Sequence, residues 1–370
     1  MEFLKSETSS KQNIQKEINV ILLGETGSGK STLINYFTNY FHNGTLENLK
    51  IAIPTKHHVA TEDLKHHEYN VQDTSKSKTR ACAVYNFRKE DTIYNFIDTP
   101  GLSDTEGLIQ DDFNIEQILG AAEQSGVLTA IILVINGTQA RATVTLRNTL
   151  CLVKSSIPDV LLQNLIVVLT NCFAASANFE MVHLKPWTVP EANVFHMNNC
   201  ALSRPLALWV KNIHMKTYLE KEWQCSMETI EKLIHNLTQL GGKTTEAFTQ
   251  MRMKRDKIKS QLHSILLDVK KFQNVSKNEE IQFKIGNLDS EIAAVKDALD
   301  EKTAEIPKCC RELKMLCSQF NFVDELQGIF DIMERDARTL TSMVVRADAE
   351  KRIRNVKHVV DTLTSAEKSG

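Results

Sequence analysis

Gly24-Glu25-Thr26-Gly27-Ser28-Gly29-Lys30-Ser31 follows the apolar run Ile18 to Leu23 and precedes Thr32-Leu33-Ile34-Asn35-Tyr36-Phe37, and this stretch decides how the rest of the chain reads. The octet satisfies G-x-x-x-x-G-K-[ST] in the strand, loop, helix setting that the pattern requires. Its glycines let consecutive backbone N–H groups turn inward around a β-phosphate, and the helix start adds its positive end. Lys30 then reaches the β and γ oxygens and the Ser31 hydroxyl ligates Mg2+. Gly24 through Thr32 are therefore the candidate phosphate contacts.

Downstream, Thr92 to Ile97 is a β-rich run that ends in Asp98-Thr99-Pro100-Gly101. A second strand ending there places the Asp98 carboxylate beside the same metal, and the Gly101 N–H is positioned to sense a γ-phosphate. Read alone, Asp-x-Pro-Gly is also an ordinary turn. Between the two motifs Thr79, in Ser77-Lys78-Thr79-Arg80-Ala81-Cys82, is the choice to complete the metal shell, although several threonines share that polar stretch. Ser31, Thr79 and Asp98 make up the expected Mg2+ set.

Composition agrees with a folded protein that binds phosphate locally. Of 370 residues, 42% are hydrophobic and 24% charged, as in ordinary soluble domains rather than disordered chains. A formal charge of -2 provides no long-range field for nucleic acid or an anionic membrane. The eight cysteines lack the dense spacing of a disulfide scaffold and read as reduced thiols, which points to the cytoplasm. No apolar run approaches the ~20 residues that a bilayer demands, and neither a secretion signal nor a lipid-anchor motif is expected.

Six of the seven prolines lie at or before Pro205, so a loop-rich α/β unit gives way there to a nearly unbroken helical region. The expected organisation is a flexible N-terminus over 1–16, a nucleotide-binding domain over 17–205 and a helical region over 206–370. Ile18 to Leu23, Ile93 to Ile97, Ala130 to Ile135 and Leu165 to Leu169 have the unalternating apolar character of strands buried on both faces of a mainly parallel sheet. Beyond the boundary, Leu219, Trp223, Ile230, Leu233, Leu237 and Leu240 follow coiled-coil spacing, with Ser226 at the one polar seam position. Ile258 to Phe272 and Ile285 to Leu299 repeat that spacing, so the region reads either as a bundle packed on itself or as an intermolecular coiled coil.

These motifs resemble the septin-like branch of P-loop GTPases, including the immunity-associated group. The likeness rests on Glu17 through Thr32, Ser77-Lys78-Thr79 and Asp98-Thr99-Pro100-Gly101-Leu102, with Ile34-Asn35, Asn39-Tyr40, Ile53-Pro54 and Phe195-His196-Met197-Asn198-Asn199 in support. It covers about residues 16 to 205. It implies a G domain with a mainly parallel sheet flanked by helices, GTP or GDP with Mg2+ as ligands, and nucleotide-controlled pairing of G domains in a homo-oligomer. It also implies that Thr170, Asn171, Asn198 and Asn199 lie at the base.

Two departures from the pattern matter. Guanine-specific domains end a buried strand in [NT]-K-x-D, whereas this chain has Thr170-Asn171-Cys172-Phe173, with Phe173 where the base-selecting acid belongs. Leu102 stands where Ras-type enzymes carry the water-orienting glutamine, so slow hydrolysis is expected. A nucleotide-binding scaffold without turnover and an ATP-using P-loop protein remain the alternatives. Arg80 and Arg141 are available as an added cation but read as solvated surface charges. His57-His58 and His66-His67 read as a variable loop, Cys309-Cys310 with Cys317 as buried thiols, and the basic run Arg252 to Lys259 as a solvated helical face.

Overall fold

The computed structural model describes residues 16–62, 64, 81–102, 108–140, 143–203, 205, 213–258, 260–261, 264, 297, 305–306 and 308–320, with isolated positions between 334 and 358. The chain divides into two compact units, 1–150 with 164–244 and 151–163 with 245–370.

The first unit is built on a six-stranded sheet. Its strands are β1 (Lys16–Leu23), β2 (Ala83–Lys89), β3 (Thr92–Asp98), β5 (Ala130–Asn136), β6 (Leu165–Thr170) and β7 (Val194–Met197), in the order β2-β3-β1-β5-β6-β7. A short antiparallel pair joins β4 (Val127–Leu128) to β8 (Lys243–Thr244). All pairings in the main sheet are parallel except β2 with β3. The sequence explains this difference. β6 is buried at every position, as a central parallel strand must be, whereas β2 alternates buried Ala83, Tyr85 and Phe87 with exposed Val84, Asn86 and Arg88, as suits an antiparallel edge with one wet face.

The α-helices described up to Gln239 are α1 (Lys30–Phe41), α2 (Leu108–Gln124), α3 (Val144–Ser156), α4 (Cys200–Ser203) and α5 (Ile213–Gln239), with short 3-10 turns between α3 and α4. Phe37 of α1 stacks on Phe96 of β3 at 4.1 Å between ring centroids, and Phe41 stacks on Phe87 at 4.9 Å. Such pairs add to area burial because ring quadrupoles favour offset contact. A phosphate-loop strand and helix at the centre of a mainly parallel sheet, with an antiparallel edge beyond β3, is the G-domain form of the P-loop fold. A helical region follows it.

α5 carries the first coiled-coil seam of the sequence. Leu219, Ile230, Leu233, Ile234 and Leu237 are buried in the same apolar cluster as Leu33, Ile34, Tyr36 and Phe37 of α1, and Trp223 lies 5.6 Å from Tyr36 between ring centroids. This seam is thus occupied inside the sheet's own unit. Heptad spacing specifies an apolar stripe on a helix but not what covers it.

In the second unit Phe248, Met251, Ile258, Ile306, Cys309, Cys310, Leu313, Cys317 and Phe320 are buried. Lys254 pairs with Glu312 and Lys257 with Glu305, so two members of the basic run face acids of a later helical segment. Burial pushes the Cys310 thiol up to about 11 and the Cys317 thiol up to about 12, which keeps both protonated and unreactive. Among the described residues no group of three or more His, Cys, Asp or Glu side chains is gathered as for a metal ion, and no helix is long and apolar enough to cross a membrane. His66 and His67 and most of the two later apolar repeats lie outside the described residues.

The chain after α1 is pinned by asparagine side chains. The Asn35 amide oxygen accepts from the Ala52 and Ile53 N–H groups at 3.0 and 2.8 Å, and its nitrogen donates to the Ile53 carbonyl at 2.8 Å. Asn39 does the same for Lys50, donating at 2.8 Å and accepting at 2.9 Å. Both asparagines are fully buried. Asn35→Ala strands three buried backbone groups, so a loss of about 3 kcal/mol is expected in urea unfolding; a loss under about 0.5 kcal/mol would show that the clamp contributes little.

Candidate nucleotide site

β1 delivers the chain to Gly24, where the sheet leaves no room for a side chain: a Cβ there would fall 2.2 Å from the Val134 carbonyl oxygen of β5. The loop then turns through positive φ at Gly27 and Gly29. Gly29 takes the N-cap position of α1 with φ 104°, and no side chain caps the helix. The first-turn N–H groups are therefore left for a ligand, and an anion is the natural one.

Lys30 folds back over this loop. Its ammonium donates to the Gly24 and Glu25 carbonyls at 3.0 and 2.9 Å, and the residue is 6% exposed. Beside it Thr26 Oγ1 and Ser28 Oγ are buried without a hydrogen-bond partner. Buried hydroxyls are normally satisfied, so this pair marks where a ligand belongs. Burial pushes the Glu25 carboxyl above its ordinary range, opposed by the Lys30 charge. That shift eases the repulsion a carboxylate would exert on a phosphate. The donors, the free hydroxyls and the uncapped helix together fit a polyphosphate.

The metal side is equally specific. Asp98, fully buried at the end of β3, holds Oδ2 at 3.4 Å from Ser31 Oγ, and its Oδ1 accepts from the Thr99 N–H at 3.1 Å. Thr99 Oγ1 donates to the Leu22 carbonyl at 2.5 Å, tying the end of β3 to β1. A hydroxyl and a carboxylate this close, facing a phosphate loop, suit Mg2+, a hard cation that takes few protein oxygens and completes its shell from phosphate and water. Thr79 lies outside the described residues, as do Arg80 and Arg141. It precedes β2, whose first residue Ala83 pairs with Asp98.

Gly101 and Leu102 sit against the loop. The Leu102 N–H donates to the Gly24 carbonyl at 3.3 Å, and Glu25 and Leu102 form an isolated parallel bridge. Leu102 is fully buried, so the position held by glutamine in Ras-type enzymes contributes packing here and no polar group. Asn114 of α2, also buried, donates to the Gly101 carbonyl at 3.0 Å.

On the opposite side of the loop, Thr170 Oγ1 lies 2.6 Å from the Ser28 carbonyl and 3.2 Å from that of Ile135. Its hydroxyl is therefore spent on holding the phosphate loop to β5 and β6. Asn171 is exposed at φ 57°, and Phe173 is 36% exposed at the strand's end. Asn199 is buried beside the loop: a Cβ on Gly29 would lie 2.9 Å from its Nδ2, and its Oδ1 has no partner. Asn198 turns the other way, donating to Glu222 of α5 at 2.6 Å.

The phosphate loop, Thr32 behind it, Asp98, Gly101, Thr170 and Asn199 thus converge, while Asn198 faces α5. Asn114, Thr99 and Glu222 escaped sequence reading. A lone buried asparagine or glutamate in an apolar helical stripe is the signal that points to such residues, but it does not name their partners.

Residues 19–170 match the family model described as 50S ribosome-binding GTPase. The chain therefore carries a GTPase-type domain, which supports guanine nucleotide as the ligand. Similar solved structures include Toc33 from Arabidopsis thaliana with GDP and Mg2+, 13% identical over 58% of this chain and 86% of that one at a TM-score of 0.34. Toc33 with Mg2+ and GMPPNP is 13% identical over 59% and 88% at 0.33. A third, described as showing that dimerization is important for the GTPase activity of the chloroplast translocon components atToc33 and psToc159, is 13% identical over 51% and 72% at 0.34. No curated protein matches.

Gly101→Ala puts a Cβ 2.1 Å from Thr26 Oγ1 and 2.6 Å from Thr26 Cα, a clash with backbone that no rotamer relieves. It is expected to destabilise the nucleotide-free protein by about 1–3 kcal/mol. An unchanged melting temperature would mean that Gly101 does not rest on the loop.

Proposed function

We propose that this protein binds GTP and GDP with Mg2+ in the cytoplasm, hydrolyses GTP slowly, and pairs its G domains according to the nucleotide held, in the manner of the septin and immunity-associated branch. The observation that carries the reading is the phosphate loop itself: an uncapped α1, two partnerless buried hydroxyls, Lys30, and Ser31 Oγ 3.4 Å from Asp98 Oδ2.

Gly24 to Thr32 would hold the phosphates and Ser31, Thr79 and Asp98 the metal; Asn171 and Asn199 would face the base, with Thr170 behind them on the loop carbonyls and Asn198 anchored to α5. Mg2+ at such a site neutralises charge on the β and γ oxygens. Lys30 exchanges carbonyl acceptors for phosphate oxygens, which are stronger partners for an ammonium because both members are charged. Leu102, bonded to Gly24, ties the chain after Asp98 to the phosphate loop, and the Gly101 N–H is the group that would sense the γ-phosphate. Buried Leu102 offers no group to orient water, so turnover depends on a residue supplied by loop ordering or by a paired G domain. Leu102 equally favours a scaffold that binds nucleotide and does not turn it over.

Equilibrium titration with GTP, GDP and ATP in Mg2+ tests the assignment. Lys30→Ala is expected to weaken GTP binding by about 100-fold or more, since a charge-assisted contact to phosphate is lost. Excess ATP is expected to leave bound GTP in place; displacement would move the protein to the adenine-using P-loop proteins. Multiple turnovers that vanish in Asp98→Ala would exclude the scaffold reading.

A further inference from the structure

α5 carries a carboxylate on its buried, mainly apolar face. Glu222 is 5% exposed and lies between Leu219 and Ser226 on the side that enters the core. Burial pushes its carboxyl above the ordinary range. A leucine at that position would pack against α1 without the desolvation cost, so the acid is there for a contact.

That contact is the loop after β7. Asn198 Nδ2 donates to Glu222 Oε2 at 2.6 Å, the Cys200 thiol lies 3.5 Å from the same oxygen, and one turn along α5 Ser226 Oγ donates to the Asn198 carbonyl at 3.1 Å. Both ends of Asn198, side chain and carbonyl, are thus fastened to α5. The next residue, Asn199, is buried against Gly29 of the phosphate loop, with its Oδ1 unpartnered. A buried amide oxygen without a donor is costly unless a ligand supplies one.

We propose that Glu222 is a positioning residue for nucleotide recognition: by gripping Asn198 it holds the Asn199 amide in place, its nitrogen beside Gly29, so that its unpartnered oxygen accepts from an N–H of the purine base. This inference rests on the guanine-nucleotide reading above. It gives the site an acceptor on the base side where Phe173 replaces the usual acid, and it puts that acceptor under the control of a helix outside the span of the GTPase family match.

The test compares GDP with ribose 5-diphosphate, which presents phosphates and sugar without a base, on wild-type protein, Glu222→Ala and Glu222→Gln. Glu222→Ala is expected to weaken GDP about tenfold, roughly the worth of one well-placed hydrogen bond, while ribose 5-diphosphate binds within about twofold of wild type. Glu222→Gln keeps an acceptor for Asn198 and is expected to restore GDP binding to within about threefold. Should Glu222→Ala not fold, Asn198→Ala removes the same link and is expected to give the same split. Equal GDP affinity in wild type and Glu222→Ala would overturn the role of Glu222, and parallel loss of both ligands would reduce it to a packing residue. Wild-type protein that binds ribose 5-diphosphate and GDP equally would overturn the base-side reading itself.

Discussion

The buried ammonium of Lys30 is the constraint around which the first unit is arranged. A charge at 6% exposure must be hydrogen-bonded, and here the acceptors are the carbonyls of Gly24 and Glu25 in its own loop. That requirement closes the turn between β1 and α1. The closed turn brings the Gly24 carbonyl to the Leu102 N–H and the Ser28 carbonyl to Thr170, so the ends of β3 and β6 are registered on the loop rather than on each other. The sheet supplies rigidity, and the loop fixes which residues of different strands meet.

What the sequence made legible follows from the range of the forces involved. The strand, loop and helix around Lys30 are specified within some twenty consecutive residues by apolar runs and glycines, and they stand where periodicity put them. β3 ending in Asp98 is equally local. Asn35 and Asn39 were legible only as points of resemblance, because their role is to satisfy backbone groups of Lys50 to Ile53, and no local pattern announces such a long-range partner. Thr170 was expected near the base; its hydroxyl lies instead on loop carbonyls, an arrangement that depends on β6 standing next to β5.

The seam of α5 shows the same limit from the other side. Its spacing was readable, and so was the polar gap at Ser226, yet spacing cannot distinguish a partner helix in another chain from α1 of the same unit. The gap itself is where the helix stops packing and starts bonding, since Ser226 and Glu222 both reach Asn198. A boundary drawn where prolines cease falls between the sheet and this helix, although the two share one apolar cluster. Proline content reports the change from loop-rich to helical chain, which is a different thing from where one core ends.

The asparagine clamp on α1 has a consequence for how this chain can vary. Asn35 fastens Ala52 and Ile53 to the helix that begins with Lys30 and Ser31, and β2 resumes at Ala83 already paired with Asp98. Both ends of the intervening segment are thus anchored beside the phosphate site. Chain closure between fixed points grows only logarithmically with length, about 0.6 kcal/mol for each doubling. Insertions and deletions between Glu62 and Ser77 are therefore expected to disturb these anchors little, leaving that stretch free to diversify among descendants while the helix it hangs from and the Thr79 proposed for the metal are retained.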